Sequence, residues 1–239
     1  MLLRAEAPAK INRELRVGAR RPDGFHEIRS RFCTIDLADR LEIEEAAGLE
    51  ITCAGIPVPE GDSNLVARAA TVLAEELGIA PRARIRLEKR IPVGAGLGGG
   101  SADAAVTLLL LSRLWDSPLS AAGLSDVAAS VGSDVPFFLQ GGEADVTGRG
   151  ERVTPREDGP ARELLLLVPP FSIATGEVYA AYSRLTGGAA RLPERTEAKV
   201  ATASTRVPPA VAREEIVAQS ADIVIRVAGR ASSQPPPAP

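Results

Sequence analysis

Residues 90–105 read Arg-Ile-Pro-Val-Gly-Ala-Gly-Leu-Gly-Gly-Gly-Ser-Ala-Asp-Ala-Ala. Five of the seven residues from Gly94 to Gly100 are glycine, and an apolar helical pattern starts directly after them. Glycine adopts positive φ without steric cost and lets another group approach bare backbone. A glycine-rich turn that opens a helix directs several unpaired N–H groups, and the positive end of the helix dipole, at one point. That arrangement binds phosphate. The segment therefore predicts a protein that uses a nucleotide.

Several glycine loops fit this description in part. Gly94, Gly96 and Gly99 satisfy G-x-G-x-x-G, and Asp116 follows at about the distance of a dinucleotide-binding acid. However, a long region precedes the loop, and it shows no repeating βαβ pattern. A Walker A loop needs lysine directly before Ser or Thr, whereas Ser101 follows Gly100. A protein-kinase loop needs companion motifs that are missing from the chain. A strand-to-helix turn without ligand does not require so many glycines.

Pro92, the GAGLGGGS core, Asp103 and Ala104-Ala105 resemble the nucleotide loop of the GHMP kinases. Three more segments extend the resemblance, in the family's order. Pro8-Ala9-Lys10-Ile11-Asn12 is similar to PAKxN. Arg21-Pro22-Asp23-Gly24-Phe25-His26-Glu27 is similar to RxDGYHE, with Phe for Tyr. Gly132-Ser133-Asp134-Val135-Pro136-Phe137-Phe138 is similar to GSDVPFF. The match runs over roughly residues 5–185. These three segments point to the branch acting on 4-diphosphocytidyl-2-C-methyl-D-erythritol.

The resemblance implies an α+β, two-lobed fold with a ribosomal protein S5 domain 2-like N-terminal lobe and an incomplete C-terminal lobe. Residues 1–145 would form the ATP-binding domain, 146–186 the start of the substrate domain, and 187–239 an atypical, partly disordered tail. It implies an ATP-dependent kinase of the isoprenoid precursor route that uses Mg²⁺ and phosphorylates the substrate's 2-hydroxyl. The alternatives are another GHMP small-molecule kinase and a nucleotide-binding remnant without turnover.

Roles follow residue by residue. Pro92, Val93, Gly94, Ala95, Gly96, Leu97, Gly98, Gly99, Gly100, Ser101 and Ala102 would cradle the ATP phosphates, with Asn64 near the adenine. The Ser101 hydroxyl would help a phosphate or Mg²⁺; as a plain structural residue it is a helix N-cap. Asp134 would be the general base and Lys10 its orienting, charge-stabilising partner. Asn12, Phe25, His26 and Thr175 would face the substrate, Phe25 and His26 holding its cytosine. Phe25 otherwise reads as core packing. Asp103 reads as an acid suited to the helix dipole. Arg13 stands where the family has Leu, a costly place for a charge unless it is paired, and Glu14 lies on the opposite strand face.

Composition agrees with this class. The chain has 239 residues, 45% hydrophobic and 25% charged, with a formal net charge of −3. That is ordinary for a globular protein and argues against general nucleic-acid affinity. Cys33 and Cys53 lack metal-ligand spacing and read as buried thiols, and His26 is the single histidine. Arg4 and Glu6 follow only two leucines, and the longest apolar run lies within Ala104–Leu111. No signal pattern or membrane span is expected, and the cytoplasm is the expected location.

The remaining elements follow from pattern. Strands are expected over 2–17, interrupted near Pro8, and over 32–37, 40–45, 83–87, 137–139, 144–146 and, fully buried, 164–168. Helices are expected over 65–77, 101–115, from Ser120 to about Val131, and over 174–182. From Gly187 apolar periodicity is poor and the end is Ser/Pro-rich, with only 211–227 able to order. The family's late Asn-Asp-Leu helix and second glycine motif are missing, and the abrupt loss predicts a change of frame or assembly near residue 187.

Overall fold

Two strands of 19 residues each, β1 (Leu2–Arg20) and β2 (His26–Glu44), pair antiparallel and form the spine of the fold. In this computed structural model the described residues are 1–58, 61–160, 162–168, 175–186 and 223–227. The expected break at Pro8 is a register shift within one continuous strand, between Pro8 and Lys10. Among the described residues β1 pairs only with β2, and an edge position tolerates a residue without an N–H.

The other edge of β2 is divided. Arg40–Glu44 pairs with β4 (Ala83–Lys89), and Ile28–Cys33 pairs with β5 (Glu143–Gly148). The buried side of β2 follows even numbers through His26, Ile28, Ser30 and Phe32, then odd numbers through Asp39, Leu41 and Ile43. Such a change of phase is the consequence of a bulge. Strand β3 (Leu49–Gly55) pairs parallel to β4, and β6 (Arg152–Arg156) pairs with β5, so the path runs β3-β4-β2-β5-β6. Alternation sorts the two faces: Leu41, Ile43, Ile85 and Leu87 are buried, while Glu44 and Arg84 form ion pairs on the other side.

Helices pack on the apolar face. Helix α1 (Leu65–Leu77) carries β3 across to β4, starting at an Asn64 cap and stopping at Gly78 with φ 66°. Helix α2 (Gly99–Leu114) is the central element, with Ala102, Ala104, Ala105, Leu108 and Leu111 fully buried. Helix α3 (Ala121–Val131) starts at a Ser120 cap. The expected strand at 137–139 is instead α4 (Val135–Phe138). Pro136 is preset for a first helical turn, and four consecutive buried residues cannot all face one side of a strand. Phe137 packs edge-on against Phe32, with ring centroids 5.2 Å apart.

Strand β7 (Leu164–Val168) pairs antiparallel with β8 (Ile223–Val227) in a second, two-stranded sheet. Its expected full burial does not occur: Leu164 and Leu166 pack beside Ala9, Ile35, Ile91 and Leu97, while Leu165 and Leu167 are 63% and 71% exposed. Helix α5 (Thr175–Thr186) follows β7. The other residues of 187–239, including the expected change near 187, lie outside the described residues.

Two further expectations are corrected. Cys53 is exposed on the edge strand β3, while Cys33 is partly buried; neither is in a disulfide. Arg13 is paired not by its neighbour but by Glu143, with both carboxylate oxygens within 2.9 Å of Nη1. Among the described residues no helix is long and apolar enough to cross a membrane.

Ile85 is fully buried at the centre of the β4 face. Ile85→Ala is expected to lower unfolding free energy by about 2–5 kcal/mol in urea titration. A loss well below that range would contradict this placement of the core.

Candidate active site

The glycine loop is built on alternating left-handed residues: Gly94, Gly96 and Gly98 have φ of 74°, 73° and 71°. Successive amides then turn toward one concavity, a nest for an anion. Gly98 is the N-cap of α2, and the first amides after it have no partner within the helix. Ser101 is therefore not the cap, because the left-handed glycine has already turned the chain into the helix. A Cβ on Gly98 would lie 2.8 Å from Phe138 Cζ and 3.0 Å from Lys10 Cγ. The backbone N–H of Lys10 donates to Leu97 O at 2.9 Å, which ties β1 to the same loop.

Lys10 is 5% exposed. Its Nζ donates to Asn12 Oδ1 at 2.6 Å and lies 4.3 Å from the centroid of the Phe32 ring. Asn12 Nδ2 donates to Ser30 Oγ at 2.9 Å, and that hydroxyl donates to Glu14 O at 2.6 Å. This chain fixes Lys10, and Asn12 spends both ends of its amide within the protein. The Lys10 ammonium is 3.6 Å from Asp134 Oδ2, a carboxylate that remains 30% exposed. Burial draws the Lys10 pKa below the ordinary lysine value, against the opposing pull of the Asp134 charge.

One cavity holds most of the expected residues. Pro92 to Ser101, Asn64, Lys10, Asn12, Phe25, His26 and Asp134 all line it. Ala102 does not; it is fully buried in α2. Asn64 caps α1 by accepting from Val66 N at 2.9 Å and faces the cavity as well. The Thr175 side chain lies outside the described residues. Phe25 is 47% exposed, so it is not a core residue; the Arg149 guanidinium lies 5.1 Å from its ring centroid. His26 is buried, stacked on Tyr179 at 5.2 Å, with Nε2 2.8 Å from Ser183 Oγ. Burial, with the Asp134 charge, raises the Tyr179 pKa.

The sequence reading missed Tyr179, Arg149 and a buried charge cluster below the loop. In that cluster Lys89 Nζ bonds Asp39 Oδ2 and, at 2.7 Å, Asp103 Oδ2. Asp103 is thus an ion-pair member rather than a dipole-facing acid, one turn too deep to serve the helix end. A signal existed: Lys89 is in phase with buried Ala83, Ile85 and Leu87, and Asp39 with Leu41 and Ile43. Burial pushes the Asp103 carboxyl up to about 7, with Lys89 opposing and Asp39 reinforcing the shift.

Among the described residues no three His, Cys, Asp or Glu side chains converge as a metal cage. The Ser101 hydroxyl at the loop exit lines the same cavity and is a side-chain oxygen of the kind Mg²⁺ accepts.

The GHMP kinases N-terminal domain matches residues 64–142. The 4-diphosphocytidyl-2-C-methyl-D-erythritol kinase of Pelotomaculum thermopropionicum is 47% identical over 184 residues, 76% of this chain and 64% of that protein. The kinase of the same name from Exiguobacterium sibiricum is 44% identical, covering 76% and 64%. A crystal structure of 4-(cytidine 5'-diphospho)-2C-methyl-D-erythritol kinase superposes with a TM-score of 0.65 at 42% identity, covering 75% of this chain and 64% of that one. The chain thus spans less than two thirds of the length of these relatives.

The raised Asp103 pKa has a sign that can be tested. Between the ordinary aspartate value of 3.8 and about 7, the folded chain keeps a proton that the unfolded chain has released. The associated stability is present below the unfolded value and is lost as pH rises through the folded one. Relative to wild type, Asp103→Asn should therefore gain stability between pH 5 and pH 7.5, measured as urea midpoints. A constant difference across that window would show that Asp103 does not titrate there.

Proposed function

We propose that the chain is a GHMP kinase and that it transfers the γ-phosphoryl group of ATP to the 2-hydroxyl of 4-diphosphocytidyl-2-C-methyl-D-erythritol. The observation that carries this reading is the Lys10–Asp134 pair, 3.6 Å apart beside a loop of left-handed glycines. The names of the relatives at 42–47% identity support the narrower choice of substrate.

Phosphoryl transfer asks mainly for positioning and for neutralisation of charge. The amides from Gly94 to Ser101 hold the β- and γ-phosphates. The Ser101 hydroxyl would help hold Mg²⁺ bound with the nucleotide, which would supply further neutralisation of phosphate charge. The acceptor hydroxyl lies beside Asp134, which takes its proton as the oxygen bonds to the γ-phosphorus. The bond from that phosphorus to the β-phosphate oxygen breaks, and ADP leaves. Lys10 holds the Asp134 carboxylate in place and stabilises negative charge on the transferring group. Its burial and the Asn12–Ser30 chain keep the ammonium from swinging into solvent.

The cytosine end falls to Phe25 and His26. Arg149 covers one face of the Phe25 ring and leaves the other for a base. Tyr179 and Ser183 fix the plane of the His26 ring. Residues 1–145 supply the phosphate site in this reading, and 146–186 begin the substrate side.

The test is turnover of MgATP with 4-diphosphocytidyl-2-C-methyl-D-erythritol, with homoserine and mevalonate as controls. Product is expected with the cytidyl substrate alone. Asp134→Asn should lower kcat by roughly 10²–10⁴, with little change in KM for ATP. Turnover with a control substrate instead would move the chain to another branch of the family. MgATP binding without any turnover would make it a nucleotide-binding remnant. Full activity in Asp134→Asn would remove the general-base assignment.

A further inference from the structure

The cluster beneath the loop is almost sealed from water: Asp39, Lys89 and Asp103 are 0%, 4% and 2% exposed. Its bonds reach both ends of the loop. Asp39 Oδ2 accepts from Lys89 Nζ, and its Oδ1 accepts the backbone N–H of Arg90 at 2.5 Å and of Ile91 at 2.8 Å, where the loop begins. Asp103 sits in the first turns of α2, where the loop ends, and takes Lys89 on Oδ2. Gly99 closes the space between them. A Cβ there would lie 2.9 Å from Ile91 Cγ2 and 3.2 Å from Lys89 Nζ.

A cluster of this kind is a poor way to gain stability alone. Burying three charges carries a desolvation cost that apolar residues of equal volume avoid. Asp103 Oδ1 is buried and has no partner. What the cluster supplies is fixed geometry: a strand end, a loop entry and a helix start meet on one ammonium. Lys89 and Asp103 also line the cavity that the loop lines.

We propose that Asp39, Lys89 and Asp103 are positioning residues, a buried clamp that ties both ends of the glycine loop to the sheet and holds its amides ready for the donor phosphates. The assignment of those phosphates to ATP rests on the kinase reading above; the clamp itself does not. The three side chains act through the loop backbone and touch no reacting atom.

The experiment uses the full chain in two measurements. The first is deuterium exchange of the Arg90 and Ile91 amides at the loop entry, which donate to Asp39, followed by mass spectrometry without nucleotide. Asp103→Asn should speed exchange there by about tenfold or more, the effect of weakening one charge-assisted hydrogen bond, while α3 amides stay as in wild type. Lys89→Met should do the same more strongly if it folds; the near-isosteric Asp103→Asn keeps the test alive if it does not. The second is steady-state kinetics, in which Asp103→Asn should raise KM for MgATP by about tenfold with kcat lowered less.

Exchange at the loop entry in Asp103→Asn equal to wild type would overturn the clamp. So would a change shared evenly by the loop entry and α3, which marks general destabilisation. A wild-type chain without affinity for MgATP would overturn the kinase reading, and exchange would still decide the clamp.

Discussion

The site depends on how closely Gly98 approaches Lys10 and Phe138. No side chain fits at that position, since a Cβ would stand 2.8 Å from the phenyl ring and 3.0 Å from the lysine stem. The approach brings the loop that opens α2, the middle of β1 and the short helix after Asp134 to one place. It also lays the lysine stem against the loop whose residues line the same cavity. A larger residue at 98 would separate phosphate-binding backbone from proton-transfer chemistry, even if each part folded correctly alone.

Much of this was legible in the sequence because the elements that carry it are punctuated locally. Asn64 and Gly78 mark the two ends of α1 by capping chemistry, and Ser120 marks the start of α3. The glycine loop announces itself by composition. Lys10 and Asp134, 124 positions apart in sequence numbering, were joined only through resemblance, since no spacing rule links a strand lysine to a loop aspartate. The misreadings share another cause. Phe137 and Phe138 read as strand because aromatic runs favour pleated surfaces, but Pro136 and the adjacent core turned them into a helix. Leu164–Val168 read as buried because it is apolar throughout, yet only one face of β7 meets the small second core. Arg13 read as a misfit because its partner, Glu143, is supplied by a strand that no local pattern connects to it.

The buried cluster of Asp39, Lys89 and Asp103 shows the limit most clearly. Asp39 and Lys89 keep the phase of buried stripes, yet the sequence reading singled out only Asp103, and placed it at the helix dipole. Two strands and a helix each contribute one group, and only tertiary structure makes them neighbours. The same holds for the base-facing side, where α5 brings Tyr179 against His26 and Tyr182 donates to Val17 O at 2.8 Å. Local sequence specifies the loop, and long-range packing specifies what the loop faces.

The central claim is that phosphates sit on the amides of this loop, within reach of Lys10. It is tested most directly by a crystal structure of the chain with a non-hydrolysable ATP analogue and magnesium. The account predicts the β- and γ-phosphates hydrogen-bonded to amides between Gly94 and Ser101, with the γ-phosphate on the side of Lys10 and Asp134. An analogue bound elsewhere, or with its phosphates turned away from that pair, would contradict it.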